Sequence, residues 1–134
     1  EKGIVMNGPV FDGPDADGTD LPNPSGKPHK DPSFGGVQIP KYFWKILVTK
    51  GDDGALKAMA FLMSQRDLIM GIDRIEEADM LEKLSEADVK VFQVSIADLT
   101  RLTKLDFGNL ADADTHEATS VGPRRIESFD DIRR

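Results

Sequence analysis

The sequence predicts an α+β fold, with a mostly antiparallel central sheet and packing helices. Three observations carry that expectation. Residues 42–49 and 55–63 are apolar runs flanking Gly51-Asp52-Asp53-Gly54, which has the chemistry of a hairpin turn. Residues 4–11, Ile-Val-Met-Asn-Gly-Pro-Val-Phe, read as a fully buried strand. Ser95 ahead of Leu99, Leu102 and Leu105 predicts a capped helix with one apolar face.

Taken in order, the run at 4–11 ends in a turn that Gly8 permits and Pro9 fixes. A buried strand needs a neighbour on each side, so its partners all come later or the chain begins inside a domain. Residues 12–36 are expected to be loop, because they hold five of the eight prolines. Val37-Gln38-Ile39-Pro40 then leads into Tyr42-Phe43-Trp44-Lys45-Ile46-Leu47-Val48-Thr49, the clearest strand in the chain. The alanines and methionines of 55–63 would equally suit a helix, but the short bounded run favours a return strand. Residues 66–90 form an acidic insertion, with helical spacing at Met80-Leu81-Glu82-Lys83-Leu84. Residues 89–94 alternate apolar and polar types as a short strand does. In the helix that follows, residues 96–105, Asp98 in the first turn complements the helix dipole. The predicted organisation is one unit over 1–112 and a polar tail over 113–134, whose last residues form a small amphipathic segment.

A net charge of −7 makes the chain as a whole a poor surface for nucleic acid, whose binding draws on neutralised phosphates; only local Lys/Arg clusters could reverse that. The absence of cysteine excludes disulfides, thiolate metal sites and a cysteine nucleophile. No window approaches eighteen consecutive apolar residues, so no membrane-spanning helix and no membrane partner is expected.

Four pieces in order carry a family resemblance. They are Gly8-Pro9-Val10-Phe11, then Ile39-Pro40-Lys41-Tyr42-Phe43-Trp44-Lys45-Ile46. Ala60-Phe61-Leu62-Met63 with Gln65 comes next, and Phe92-x-Val94-Ser95-Ile96 with Leu99, Leu102-Thr103 and Leu105-Asp106-Phe107 completes the set. Over roughly residues 3–112 the chain resembles the second half of the DNA/RNA non-specific endonucleases, the ββα-metal nucleases of the endonuclease G type. The resemblance implies an α+β fold forming the C-terminal half of that nuclease domain, with DNA and RNA as substrates of the assembled enzyme. It also implies a magnesium ion as cofactor. In that family an Asp-Arg-Gly-His motif supplies the histidine general base, and a ββα element carries the asparagine that holds the hydrated metal; both lie ahead of Gly-Pro-Val-Phe.

This chain has no Asp-Arg-Gly-His, and its two histidines, His29 and His116, fall in expected loops. No catalytic, cofactor-binding or metal residue of the family therefore maps onto it. The expectation is a scaffold half, inactive alone, partnered by the N-terminal half of the same nuclease, which would bind the magnesium. Glu1 in place of an initiator methionine agrees with cleavage of a parent in the loop before Gly3. The alternative is a non-catalytic interaction or regulatory module derived from the nuclease fold, using its acidic surface to engage a basic partner.

Other features each admit a plainer reading. Asp15, Asp17 and Asp20 around Gly18 resemble part of a calcium loop but lack the closing glutamate; a solvated Asp/Gly loop is the plainer reading. Tyr42, Phe43 and Trp44 could stack bases, yet strand alternation puts at least one side in the core. His29 between Lys27 and Lys30 could touch phosphate, although a lone loop histidine is usually just exposed. Arg124-Arg125 and Arg133-Arg134 could face phosphate, but Glu127, Asp130 and Asp131 offset them, which favours a solvated tail or docking segment. Arg66 and the acidic stretch after it read as a regulatory flap or as the charged face of a helical insertion.

Overall fold

In a computed structural model of the chain the described residues are 3–13, 23–24, 26–65, 90–116 and 123–134. The acidic insertion up to residue 89, the expected helix at Met80–Leu84, and Asp15, Asp17, Asp20 and Arg66 lie outside them.

The described residues form seven strands: β1 (Gly3–Val10), β2 (Ser33–Phe34), β3 (Val37–Gln38), β4 (Tyr42–Lys50), β5 (Leu56–Ser64), β6 (Lys90–Val94) and β7 (Arg124–Ile126). Five form one sheet in the order β1-β4-β5-β6-β7, with every pair antiparallel. Among the described residues one helix, α1 (Ile96–Thr103), and the 3-10 segment Gly108–Ala113 accompany the sheet, with a single 3-10 turn at Phe129–Asp131. Among the described residues no helix is long and apolar enough to cross a membrane.

The period of two in each strand sends alternate side chains to opposite faces. On one face Val10, Tyr42, Trp44, Ile46, Leu62 and Phe92 build the core, closed by Ile96 and Leu99 of α1. Ala58 and Ala60 stand opposite Val48 and Ile46, and their small side chains leave room for the 3-10 segment to pack on β5. The expected run 55–63 is thus strand rather than helix, over Leu56–Ser64, with Ala58 and Ala60 serving this close packing. The hairpin turn is as expected, with Gly51 N–H donating to the Ala55 carbonyl at 2.8 Å and Gly54 at φ 81°.

Ser95 caps α1: its Oγ accepts the Asp98 N–H at 3.0 Å, and Asp98 pairs with Arg101 at 2.9 Å. Lys104, at φ 59°, ends the helix in the left-handed region. That termination corrects the expected apolar face, because Leu105 lies past the end and is exposed while Leu99 is fully buried.

Three further expectations are corrected. The run at 4–11 is not a fully buried strand: among the described strands β1 lies at the edge, with Val10 buried and Ile4, Val5 and Phe11 exposed. Gly8 and Pro9 do not form its turn; they pair with Trp44 and Phe43 inside the ladder, and the chain reverses at Asp12, whose φ is 51°. Pro9 is tolerated because edge strands need not donate on both sides. Gly8 answers a close approach, since a Cβ there would sit 2.8 Å from Trp44 Nε1. Finally, the loop 12–36 includes β2, which pairs with β3 across Gly35 and Gly36, both at positive φ.

Candidate functional site

The feature that most needs a partner is β1. Its eight residues pair with β4 along one side, and no described strand covers the other. Residues 3–10 carry no charge, and the neighbouring side chains Ile4 and Val5, which face opposite ways, are 63% and 54% exposed. Soluble proteins normally blunt such an edge with charge, a bulge or a covering element. Phe11, 55% exposed, extends the apolar surface past the end of the strand.

Where β1 stops, a polar clamp holds the long loop. Asp12 N–H donates to Asp31 Oδ2 at 2.8 Å, and Asp31 N–H donates to Asp12 Oδ1 at 2.9 Å. Gln38 Nε2 donates to both carboxylates, at 2.8 and 3.0 Å. Lys41, fully buried, donates to the His29 carbonyl at 2.8 Å and sits 3.8 Å from Asp31 Oδ1. Removing either member of this buried pair would strand a charge at a cost of about 3–5 kcal/mol. The role of His29 here is its backbone carbonyl, and the cluster holds the loop against the sheet.

His116 is likewise not an exposed loop residue. It is fully buried, and neither ring nitrogen has a hydrogen-bond partner. Beside it Asp114 accepts the N–H groups of Ile96 at 2.8 Å and of His116 at 3.0 Å, joining the start of α1 to the end of the 3-10 segment. Burial pushes the Asp114 carboxyl above the usual aspartate range. The two backbone hydrogen bonds and the nearby imidazole oppose that rise, and Asp98 adds to it. Among the described residues no group of three or more His, Asp or Glu side chains is placed to hold a metal ion.

The remaining candidates separate. Tyr42 and Trp44 are core, and Trp44 meets Phe107 edge-on at 5.3 Å; Phe43 points to the opposite face. Arg124 and Arg125 lie on β7, Arg125 with its guanidinium 5.8 Å from the centroid of the Phe92 ring. The tail is docked rather than solvated. Buried Gln93 donates Nε2 to the Arg133 carbonyl at 2.9 Å and accepts the Arg133 N–H on Oε1 at 2.7 Å; Thr115 Oγ1 donates to the same carbonyl at 2.6 Å. Sequence reasoning missed Gln93, because a polar residue alternating with Phe92 and Val94 looks the same whether it meets water or another segment.

No curated protein and no solved structure gives a significant match. A family model does. The model for DNA/RNA non-specific endonucleases matches residues 2–114, from the start of β1 through α1 and the 3-10 segment to Asp114. By that match over most of its length, the chain belongs to the DNA/RNA non-specific endonuclease family.

Proposed function

We propose that this chain is the scaffold half of a magnesium-dependent, sequence-non-specific endonuclease that hydrolyses phosphodiester bonds in DNA and RNA. The observation that carries the reading is the uncharged edge of β1, which no described strand covers, with Ile4 and Val5 exposed. An edge of this kind suits an adjoining segment that adds to the sheet and covers the apolar side chains. The described residues offer no donor set for the metal, so no hydrolytic step is assigned to them. The general base and the metal-binding asparagine would come from the N-terminal half, as the family pattern implies. This chain would hold that half against a fixed sheet, since catalysis by a positioned base demands sub-ångström placement of the groups around the phosphate.

The test is reconstitution. The 134-residue chain, freed of contaminating nucleases, is incubated with supercoiled DNA or with RNA and magnesium, alone and after addition of a polypeptide bearing Asp-Arg-Gly-His. Cleavage is expected only in the mixture. Cleavage by the isolated chain would overturn the assignment of the chemistry to the other half. A stable complex that cuts nothing would favour a non-catalytic module.

A further inference from the structure

Each strand of the sheet alternates core residues with residues on the second face, and on that face one row is apolar from edge to edge. Pro9 of β1 pairs with Phe43 of β4, Phe43 with Met63 of β5, Met63 with Val91 of β6, and Val91 with Ile126 of β7. Cross-strand partners share a face, so these five side chains stand side by side. None is buried: Pro9 and Phe43 are exposed, and Met63, Val91 and Ile126 are half-buried. A sheet face that meets water carries polar residues at such positions, whereas strands apolar on both faces belong to a layer covered on both sides. Here α1 and the 3-10 segment Gly108–Ala113 pack on the core face.

The next row along the same face carries charge. Asn7, Lys45, Phe61, Gln93 and Arg124 follow one another across it. Gln93 is taken up by the Arg133 backbone, and Arg124 already acts on the Asp131 carboxylate. Lys45 differs. It is half-buried, with Phe43 and Leu47 on either side along β4 and Phe61 across from it. Its ammonium group has no ion pair or hydrogen bond with a described residue. The apolar row also begins on β1, since Pro9 belongs both to it and to the strand whose outer side no described strand covers. Whatever adds to that strand stands next to this face.

We infer that this face is a second docking surface for the N-terminal half, taken by an amphipathic helix that covers the row from Pro9 to Ile126 and sets a carboxylate against Lys45. Covering the row removes contiguous apolar surface from water. The same step buries the Lys45 ammonium, which is costly unless an anion meets it. The face therefore specifies its occupant: an apolar stripe interrupted by one negative group, in register with Lys45. An apolar stripe without that group would strand the lysine, and a positive group there would be repelled. The inference deepens the reading of the chain as a scaffold half, on which the identity of the occupant rests.

The test follows methyl NMR signals of the 134-residue chain in EDTA, so that no hydrolysis enters the readout. One probe is the Asp-Arg-Gly-His-bearing polypeptide of the reconstitution. The others are helical peptides of about 18 residues, identical except for Glu, Gln or Lys in the middle of a leucine stripe. Shifts at Met63, Val91 and Ile126 are expected with the polypeptide, and the Glu peptide is expected to bind about tenfold tighter than the Lys peptide. Lys45→Glu should reverse that order and Lys45→Met abolish it, each with the urea midpoint of the chain measured alongside. Equal binding of the peptides, or a preference that survives both substitutions, would overturn the inference. So would binding that begins only once residues 66–89 are replaced by a Gly/Ser linker, because the chain would then supply its own cover. A complex that cuts nucleic acid when magnesium is restored, yet leaves Met63, Val91 and Ile126 unshifted, refutes the docking and spares the nuclease reading. Shifts at those residues in a complex that cuts nothing support the docking and count against the nuclease reading.

Discussion

Gly8 stands against the ring of Trp44, and substituting it probes the packing of β1 directly. In Gly8→Ala the new Cβ would lie 2.8 Å from Trp44 Nε1 and about as close to two further ring atoms. The indole cannot swing away freely, because it is nearly buried and meets Phe107 edge-on, with an interplanar angle of 74°. Forcing a methyl into such a site costs about 1–3 kcal/mol. Disturbing the ring pair costs up to ~1.5 kcal/mol more. Restricting the unfolded chain returns about 0.4–1 kcal/mol. The net expectation is a destabilisation of about 2 kcal/mol, which lowers a urea midpoint by roughly 1 M for a small protein. Trp44 is the sole tryptophan, so its fluorescence reports both unfolding and any tilt of the ring. In a Trp44→Leu background, followed by circular dichroism, Gly8→Ala should cost less, giving a coupling above about 1 kcal/mol. A Gly8→Ala protein as stable as the parent, with unchanged emission, would refute the close-approach argument.

Two further predictions concern the tail and Asp114. Gln93→Leu removes two hydrogen bonds to the Arg133 backbone, about 1 kcal/mol each, and should free residues 131–134 while the β4–β5 core persists. Unchanged hydrogen-exchange protection of the Arg133 amide would contradict this. Asp114 titrates higher folded than unfolded, so the folded state holds its proton more tightly; that contribution to stability is complete below the ordinary value of 3.8 and is lost as pH rises through the raised one. Asp131 runs the other way: the N–H groups of Glu127 and Ser128 lower it, so its contribution is present above 3.8 and is lost as pH falls through the lowered value. Asp114→Asn should therefore flatten the loss of stability just above 3.8, as read from urea midpoints across that range. An unaltered slope would show that Asp114 does not govern it.

The open edge of β1 and the nuclease reading bear on each other. The strand has the residues of an interior strand but, among the described strands, the position of an outer one. Pro9 within the ladder fits that outer position, since an interior strand would lack a hydrogen bond there. The clamp of Asp12, Asp31, Gln38 and Lys41 holds the far end of the strand, so the edge is presented on a fixed frame.

Local chemistry was legible. An aromatic and β-branched run marked β4, a short bounded apolar run β5 and alternation β6; the four residues Gly51-Asp52-Asp53-Gly54 marked the turn and Ser95 the start of α1, because each signal is complete within a few neighbouring residues. The order of four motifs reached the family. Contacts between distant residues were not legible. Whether residues 4–11 lay inside or at the rim depended on which strands arrived beside them. Gly8 was read as a turn residue because its reason, the indole of Trp44, lies 36 positions further on. Asp31 with Lys41 and Gln93 with Arg133 follow from the sheet bringing remote segments together. A strand's period specifies which side chains share a face; only the assembled sheet specifies what that face meets.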